Sequence, residues 1–213
     1  FCAFKFGHSH FLEYREKRMR TKEEADALTQ LGLEHFNDPY AFFPRNPGVT
    51  GIISTNDKKI IVGQRNVSQD RYERSLQGVA GHLAYRENPS EVNLHDDMYR
   101  ELLEETGVPS NVVKSRNSPC SGLEFLGLFS DPSVNGDNLD FAYLIEVDLP
   151  STYFTSDAWR EKVEKPEHKK FFAINNFYDL VRLVNDGELQ GKNFDIVFST
   201  SGPLAVLNQK DFL

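Results

Sequence analysis

The chain has 213 residues, 39% hydrophobic and 26% charged, with 24 Lys and Arg against 32 Asp and Glu, a net charge of −8. That composition is too apolar for a disordered chain, and the length suits one domain plus an extension. No apolar run approaches the ~18 residues of a membrane-spanning helix, and the acidic balance argues against a nucleic-acid-coating protein while leaving room for a small phosphorylated ligand in a local pocket.

The first eleven residues are aromatic-rich but interrupted by Lys5, His8 and His10, unlike the apolar centre of a signal peptide. His8 and His10 have a His-x-His spacing with no third ligand near, so no metal site is expected there. Residues 13–34, EYREKRMRTKEEADALTQLGLE, read as helix, with a restart at Thr21, where Glu24 completes a capping box. The basic run Arg15, Lys17, Arg18 and Arg20 reads as a solvated face. Pro39, Pro44 and Pro47 mark a linker over 38–47. It divides an N-terminal extension, 1–47, from a main domain, 48–213.

Next come GVTGIIST and KIIVGQR, which flank Asn56, Asp57 and Lys58 as a hairpin. A polar segment, 66–74, leads to Gly78-Val79-Ala80-Gly81, where backbone must approach something closely. A helix is predicted over 88–106, with Asn88 as cap, Pro89 in the first turn, Glu91 at the capping-box position and Gly107 as its left-handed end. EFLGLFS and FAYLIEV read as strands around a Gly-, Asn- and Asp-rich loop over 131–140, and KKFFAI as one more strand. Residues 175–185 and 201–208 read as helices. Strands interleaved with helices, some in hairpins, predict an α/β domain with a mixed sheet. Trp159 reads as packing. Two cysteines, Cys2 and Cys120, form neither a disulfide framework nor a zinc finger, and they fit a reducing, cytoplasmic setting. Cys120 has no partner His and is not expected to be a catalytic thiol.

The helix over 88–106 carries the chemistry. Asp97, Glu101, Glu104 and Glu105 fall within a ~100° arc at 3.6 residues per turn, so they form one acidic stripe. As a solvated face the stripe is poorly placed. Like charges four apart cost ~0.2–0.5 kcal/mol per pair. Glu104 and Glu105 also sit at the negative end of the helix dipole, which disfavours carboxylates by ~0.3–1 kcal/mol each. Neutralising Glu105 is therefore expected to leave the metal-free fold unharmed or slightly firmer. Several carboxylates near a Gly-rich turn are what a hard divalent cation wants.

Arg100-Glu101-Leu102-Leu103-Glu104-Glu105-Thr106-Gly107-Val108 resembles the second half of the Nudix box. Gly81 and Glu87 have the five intervening residues of its first half, but twelve rather than seven separate Glu87 from Arg100. The resemblance covers roughly 49–213. It implies a Nudix-type α/β/α sandwich with a mixed sheet, plus the small N-terminal extension. It also implies metal-dependent hydrolysis of a nucleoside diphosphate-linked substrate, with Mg2+ or Mn2+ as cofactor. Position by position, Glu101, Glu104 and Glu105 would be metal carboxylates, the Gly81 carbonyl a further ligand, and Arg100 an ion-pairing clamp on the carboxylates. The longer spacing leaves the part of Glu87 open.

A general base is also needed. Glu101 is the candidate within the box and Glu167, just before KKFFAI, the candidate outside it; an exposed loop glutamate is the competing reading of Glu167. Arg65, ending KIIVGQR, is a candidate for substrate phosphate or a plain strand-end arginine. His82 is a candidate lining residue or a solvent-exposed loop histidine. The Gly-His start of the lengthened box, the segment HFLEYREKR and the ending FFAINNFYDLVRLVNDGELQ resemble a divergent Nudix group that hydrolyses UDP-glucose and UDP-galactose. A UDP-sugar is thus the first expectation, an ADP-linked compound such as ADP-ribose the second, and an oxidised nucleoside triphosphate the third. A Nudix fold that binds nucleotide without turnover is the non-enzymatic alternative. The expected partners are a small nucleoside diphosphate-linked substrate, with no nucleic acid and no membrane.

Overall fold

The computed structural model describes residues 20–43, 47–66, 75–84, 87, 92–114, 122–131 and 138–209. His8, His10, Cys2 and Cys120 lie outside them, as does most of the polar segment over 66–74. Helix α1 (Lys22–Phe36) starts at the capping box read from the sequence. The Glu24 N–H donates to Thr21 Oγ1 at 3.2 Å, and the Thr21 N–H donates to Glu24 Oε2 at 2.9 Å. Only Ala25 and Gly32 of this helix are buried.

The hairpin follows as β1 (Gly48–Ser54) and β2 (Ile60–Arg65), turning through Lys58 at φ 59°. Next in order are β3 (Leu76–Gln77), β4 (Val79–His82), α2 (Leu94–Thr106), β5 (Leu123–Asp131), β6 (Asn138–Glu146), α3 (Ser151–Thr155), β7 (His168–Ile174) and α4 (Phe177–Asp186). The chain continues through β8 (Glu188–Leu189) and β9 (Lys192–Asn193) to α5 (Phe198–Gln209). One mixed sheet runs β3-β2-β1-β6-β5, with β4 added on β1 and β7 on β2. β1 pairs in parallel with β6, from Gly48 opposite Asp140 to Ser54 opposite Glu146, and the other pairs are antiparallel. All seven residues of β1 are buried, as a strand paired on both edges and covered on both faces requires.

Strand alternation divides the core in two. Val49, Ile53, Ile61 and Phe171 face Met98 and Leu102 of α2, Phe154 of α3, and Trp159. Ile52, Val62, Leu76 and Phe172 face Leu180 and Leu183 of α4 and Leu204 and Leu207 of α5. Each fully buried aliphatic side chain contributes about 1.5–3 kcal/mol. Trp159 meets Phe171 edge to face, 4.8 Å between ring centroids, in the packing role read from the sequence.

Three predicted boundaries move. The helix predicted over 88–106 begins at Leu94, because Asn93 caps it: its side chain accepts the N–H groups of His95 (3.1 Å) and Asp96 (3.4 Å). Val92 therefore precedes the helix, and residues 88–91 lie outside those described. Arg100 to Thr106 lie in one unbroken helix closed by Gly107. The loop predicted over 131–140 is shorter, since the ladder pairs Phe129 with Asp140 and Asp131 with Asn138. The last helix starts at Phe198, three residues early. Among the described residues no helix is long and apolar enough to cross a membrane.

Candidate active site

Met98 and Leu102 turn one side of α2 onto the sheet, and the same packing carries the acidic stripe inward. Asp97, Glu101 and Glu105 are buried at 1%, 8% and 3% exposure, while Glu104 stays exposed. The stripe is thus not a solvated face. Each buried carboxylate has a partner. Asp97 Oδ1 accepts the Ala84 N–H at 3.2 Å. Glu105 Oε1 accepts the Ala80 N–H at 3.2 Å, and its Oε2 lies 2.7 Å from Nε2 of His168. Glu101 Oε1 pairs with Arg100 Nη2 at 2.7 Å.

Arg100 organises this edge. Besides Glu101, it reaches Glu104 Oε2 at 3.2 Å and Asp97 Oδ1 at 3.9 Å, and it donates to the His82 carbonyl at 2.9 Å. It thereby ties α2 to β4. The Glu101 carboxyl lies directly on Gly81 of β4, so that a methyl group at Gly81 would overlap it. The close approach expected at this glycine is to the Glu101 side chain. At its C-terminus α2 ends at Gly107 (φ 68°), whose N–H bonds to Leu103 O at 2.8 Å.

Burial pushes the Glu101 carboxyl up to about 7; the Arg100 guanidinium opposes this, and the negative charges of Glu105 and Glu104 add to it. Glu167 is exposed at the start of β7, yet its pKa is also raised. Desolvation of its carboxyl is the main cause, followed by the charge of Glu105, with Arg65 and His168 pulling the other way. Arg65 stands opposite His168 across the β2–β7 pair, and its guanidinium donates to Gln77 Oε1 of β3.

The structure thus brings together Gly81, Arg100, Glu101, Glu104 and Glu105, with Glu167 and Arg65 on the adjoining β2–β7 edge. The His82 side chain is exposed, and its backbone carbonyl supplies the contact to Arg100. Glu87 lies outside the helix and is exposed. The sequence reading missed His168 and Gln77. Gln77 lies in a strand too short for periodicity to reveal. His168 follows Glu167 directly, but its partner Glu105 is 63 residues away.

Among the described residues no three His, Cys, Asp or Glu side chains converge as ready metal ligands. The donor chemistry still fits a hard divalent cation. Asp97, Glu101 and Glu104 share the guanidinium of Arg100, Glu105 lies on the same stripe, and a cation would offset both the burial that raises the Glu101 pKa and the neighbouring negative charges that add to it.

No family model matches the chain, and no curated protein sequence matches it. Solved structures do. A Nudix hydrolase from Nitrosomonas europaea is 16% identical with a TM-score of 0.50, covering 79% of this chain and 91% of that one. The Nudix domain of Shewanella oneidensis NrtR, solved with ADP ribose, is 14% identical with a TM-score of 0.50, covering 90% of this chain and 99% of that one. The chain has the Nudix fold. At these identities the likeness is one of architecture, and it agrees with the mixed sheet between helix layers described above. Within this Nudix fold, α2 and its flanking Gly81 and Gly107 occupy the segment whose sequence resembles the Nudix box.

Proposed function

We propose that the chain hydrolyses the diphosphate bond of a nucleoside diphosphate-linked substrate, with residues 48–213 as the hydrolase domain and 1–47 as an extension. The observation that carries this reading is the burial of Glu101 and Glu105 inside the fold, against Gly81 and a strand N–H. Burying carboxylates costs stability even when they are paired, and a binding module has no need of them at this density.

In this reading Glu101, Glu104, Glu105 and the Gly81 carbonyl would hold Mg2+ or Mn2+, which would supply neutralisation of the diphosphate charge and a more acidic attacking water. The protein's own groups do the rest. Arg100 holds Glu101 against β4 and pairs with the exposed Glu104. Glu101, or Glu167 from the β7 side, accepts the proton as water oxygen attacks phosphorus. The bridging P–O bond breaks, and the leaving phosphate takes the displaced electron pair. Arg65, oriented by Gln77, meets a substrate phosphate, and His82 lines the entrance.

The substrate we favour is a UDP-sugar, cleaved to UMP and a sugar 1-phosphate, on the likeness of the lengthened box and its flanks to that Nudix group. The ADP ribose bound to the Shewanella domain supports ADP-ribose as a second reading. Chromatography of products from UDP-glucose, UDP-galactose, ADP-ribose and an oxidised nucleoside triphosphate, each with Mg2+ and with chelator, is the test. UMP from a UDP-sugar is expected. Turnover of ADP-ribose alone would replace the UDP-sugar with an ADP-linked substrate, and turnover of none would leave a non-catalytic nucleotide binder.

A further inference from the structure

We propose that His168 is a positioning residue that aims Glu105 at the cation, an inference resting on the metal-binding reading of α2 given above. Three features of the structure carry it.

The pair is short and dry. His168 Nε2 donates to Glu105 Oε2 at 2.7 Å, with the two side chains only 2% and 4% exposed. The other oxygen of Glu105 is held by the Ala80 N–H. Both oxygens are thus fixed by one donor each, and each keeps a lone pair for a further partner.

His168 is itself closely packed. Its ring rests on Gly63 of β2, where a methyl group would overlap it, and it packs against Phe171 with 4.7 Å between centroids. Among the described residues its buried Nδ1 has no hydrogen-bond partner. A histidine serving the core as a bridge would use both nitrogens; among the described residues this one spends its only side-chain hydrogen bond on Glu105. A buried His–Glu pair kept for stability alone could be replaced by two apolar side chains with little loss.

The third feature is contrast along the stripe. Glu104 is exposed, and among the described residues its side chain pairs only with Arg100. Glu105, by contrast, is held at both oxygens. Groups that orient a ligand in this way commonly govern affinity as strongly as the ligand itself.

The test is Mn2+ binding to the full chain without substrate, counted by the electron paramagnetic resonance signal of free Mn2+. His168→Gln places an amide N–H where Nε2 stood, whereas the amide of His168→Asn is one methylene short of Glu105. His168→Asn is expected to weaken Mn2+ binding ~10-fold or more, with His168→Gln close to wild type. In a Glu105→Gln background His168→Asn should change affinity no further. Should His168→Asn fail to fold, His168→Leu against His168→Gln gives the same comparison. Equal Mn2+ affinity across the His168 variants would overturn the proposal, as would an undiminished effect in the Glu105→Gln background. A chain that shows His168-dependent Mn2+ binding but cleaves no nucleoside diphosphate would overturn the hydrolase reading and leave this one standing.

Discussion

Helix α1 leaves Leu31, Leu33 and Phe36 in solvent, whereas helix α2 buries Asp97, Glu101 and Glu105. The two inversions of the usual partition are not equivalent. An exposed leucine forgoes a gain, and scattered exposed apolar side chains are ordinary. A buried carboxylate must recover the loss of its hydration from partners. On α2 those partners are present: the Ala84 N–H for Asp97, Arg100 for Glu101, and His168 with the Ala80 N–H for Glu105. Such an arrangement does little for stability that an apolar helix would not do better. The proposed hydrolase reading gives it a chemical rationale, and α1 shows no counterpart to it among the described residues.

The largest expected effect separates the two helices by turnover. Glu101→Gln should lower kcat/KM by ~10²-fold or more with Mg2+ present, if the site supplies several kcal/mol of transition-state stabilisation. Leu33→Gln on α1 should leave kcat unchanged. Full turnover by Glu101→Gln would make the buried stripe structural and remove the distinction.

Gly81→Ala sharpens the comparison through packing. Its methyl would meet the Glu101 carboxyl, so either β4 or Glu101 must move. Overpacking of this kind costs about 1–3 kcal/mol. Denaturant midpoints should fall, and turnover should fall with them because Glu101 is displaced.

The acidic stripe, its helix and its Gly107 end were legible in the sequence, since they follow from residue spacing and a single left-handed position. Its burial was not. Periodicity says which side chains share a face and is silent on what that face meets, so Glu105 read as an ill-placed carboxylate when it is held by His168 from β7. The start of α2 was misread for a local reason: Asn88 and Asn93 both suit a cap, and Asn93 stands directly before the turn that Asp96 and Asp97 favour. The strands of the central sheet were legible from their β-branched runs. Two-residue strands such as β3, which brings Gln77 to Arg65, offer no period to read.

The partnered state of Glu105 reverses the stability expectation drawn from the sequence. Glu105→Gln removes a charge-assisted bond from a buried pair, and the metal-free protein should lose about 1–3 kcal/mol, measured by urea unfolding in chelator. Glu101 should act in the opposite direction. Its folded pKa of about 7 lies above the ordinary 4.5, so between those values the folded protein holds a proton that the unfolded chain has released. Metal-free stability should therefore fall as pH rises through that window and level off above it. Glu101→Gln should flatten that slope and unfold later than wild type at pH 8, with the advantage gone below pH ~4.5. A wild-type profile that is flat from pH 4.5 to 7 would mean that Arg100 fully offsets the burial of Glu101.

The smallest effect belongs to α1. Leu31 and Leu33 are 41% and 44% exposed. Leu and Gln have nearly the same helix propensity, so substitution changes little besides the area already in water. Leu31→Gln and Leu33→Gln should each shift unfolding free energy by no more than ~0.5 kcal/mol. Thr21→Ala, which breaks the capping box, should cost more, about 1 kcal/mol, and should register mainly as lost helical circular dichroism, because α1 buries so little. A loss well above 1 kcal/mol from either leucine would mean that this face is covered in solution. The comparison would then change character: α1 would be a helix whose apolar side has a partner, as the acidic side of α2 has its own.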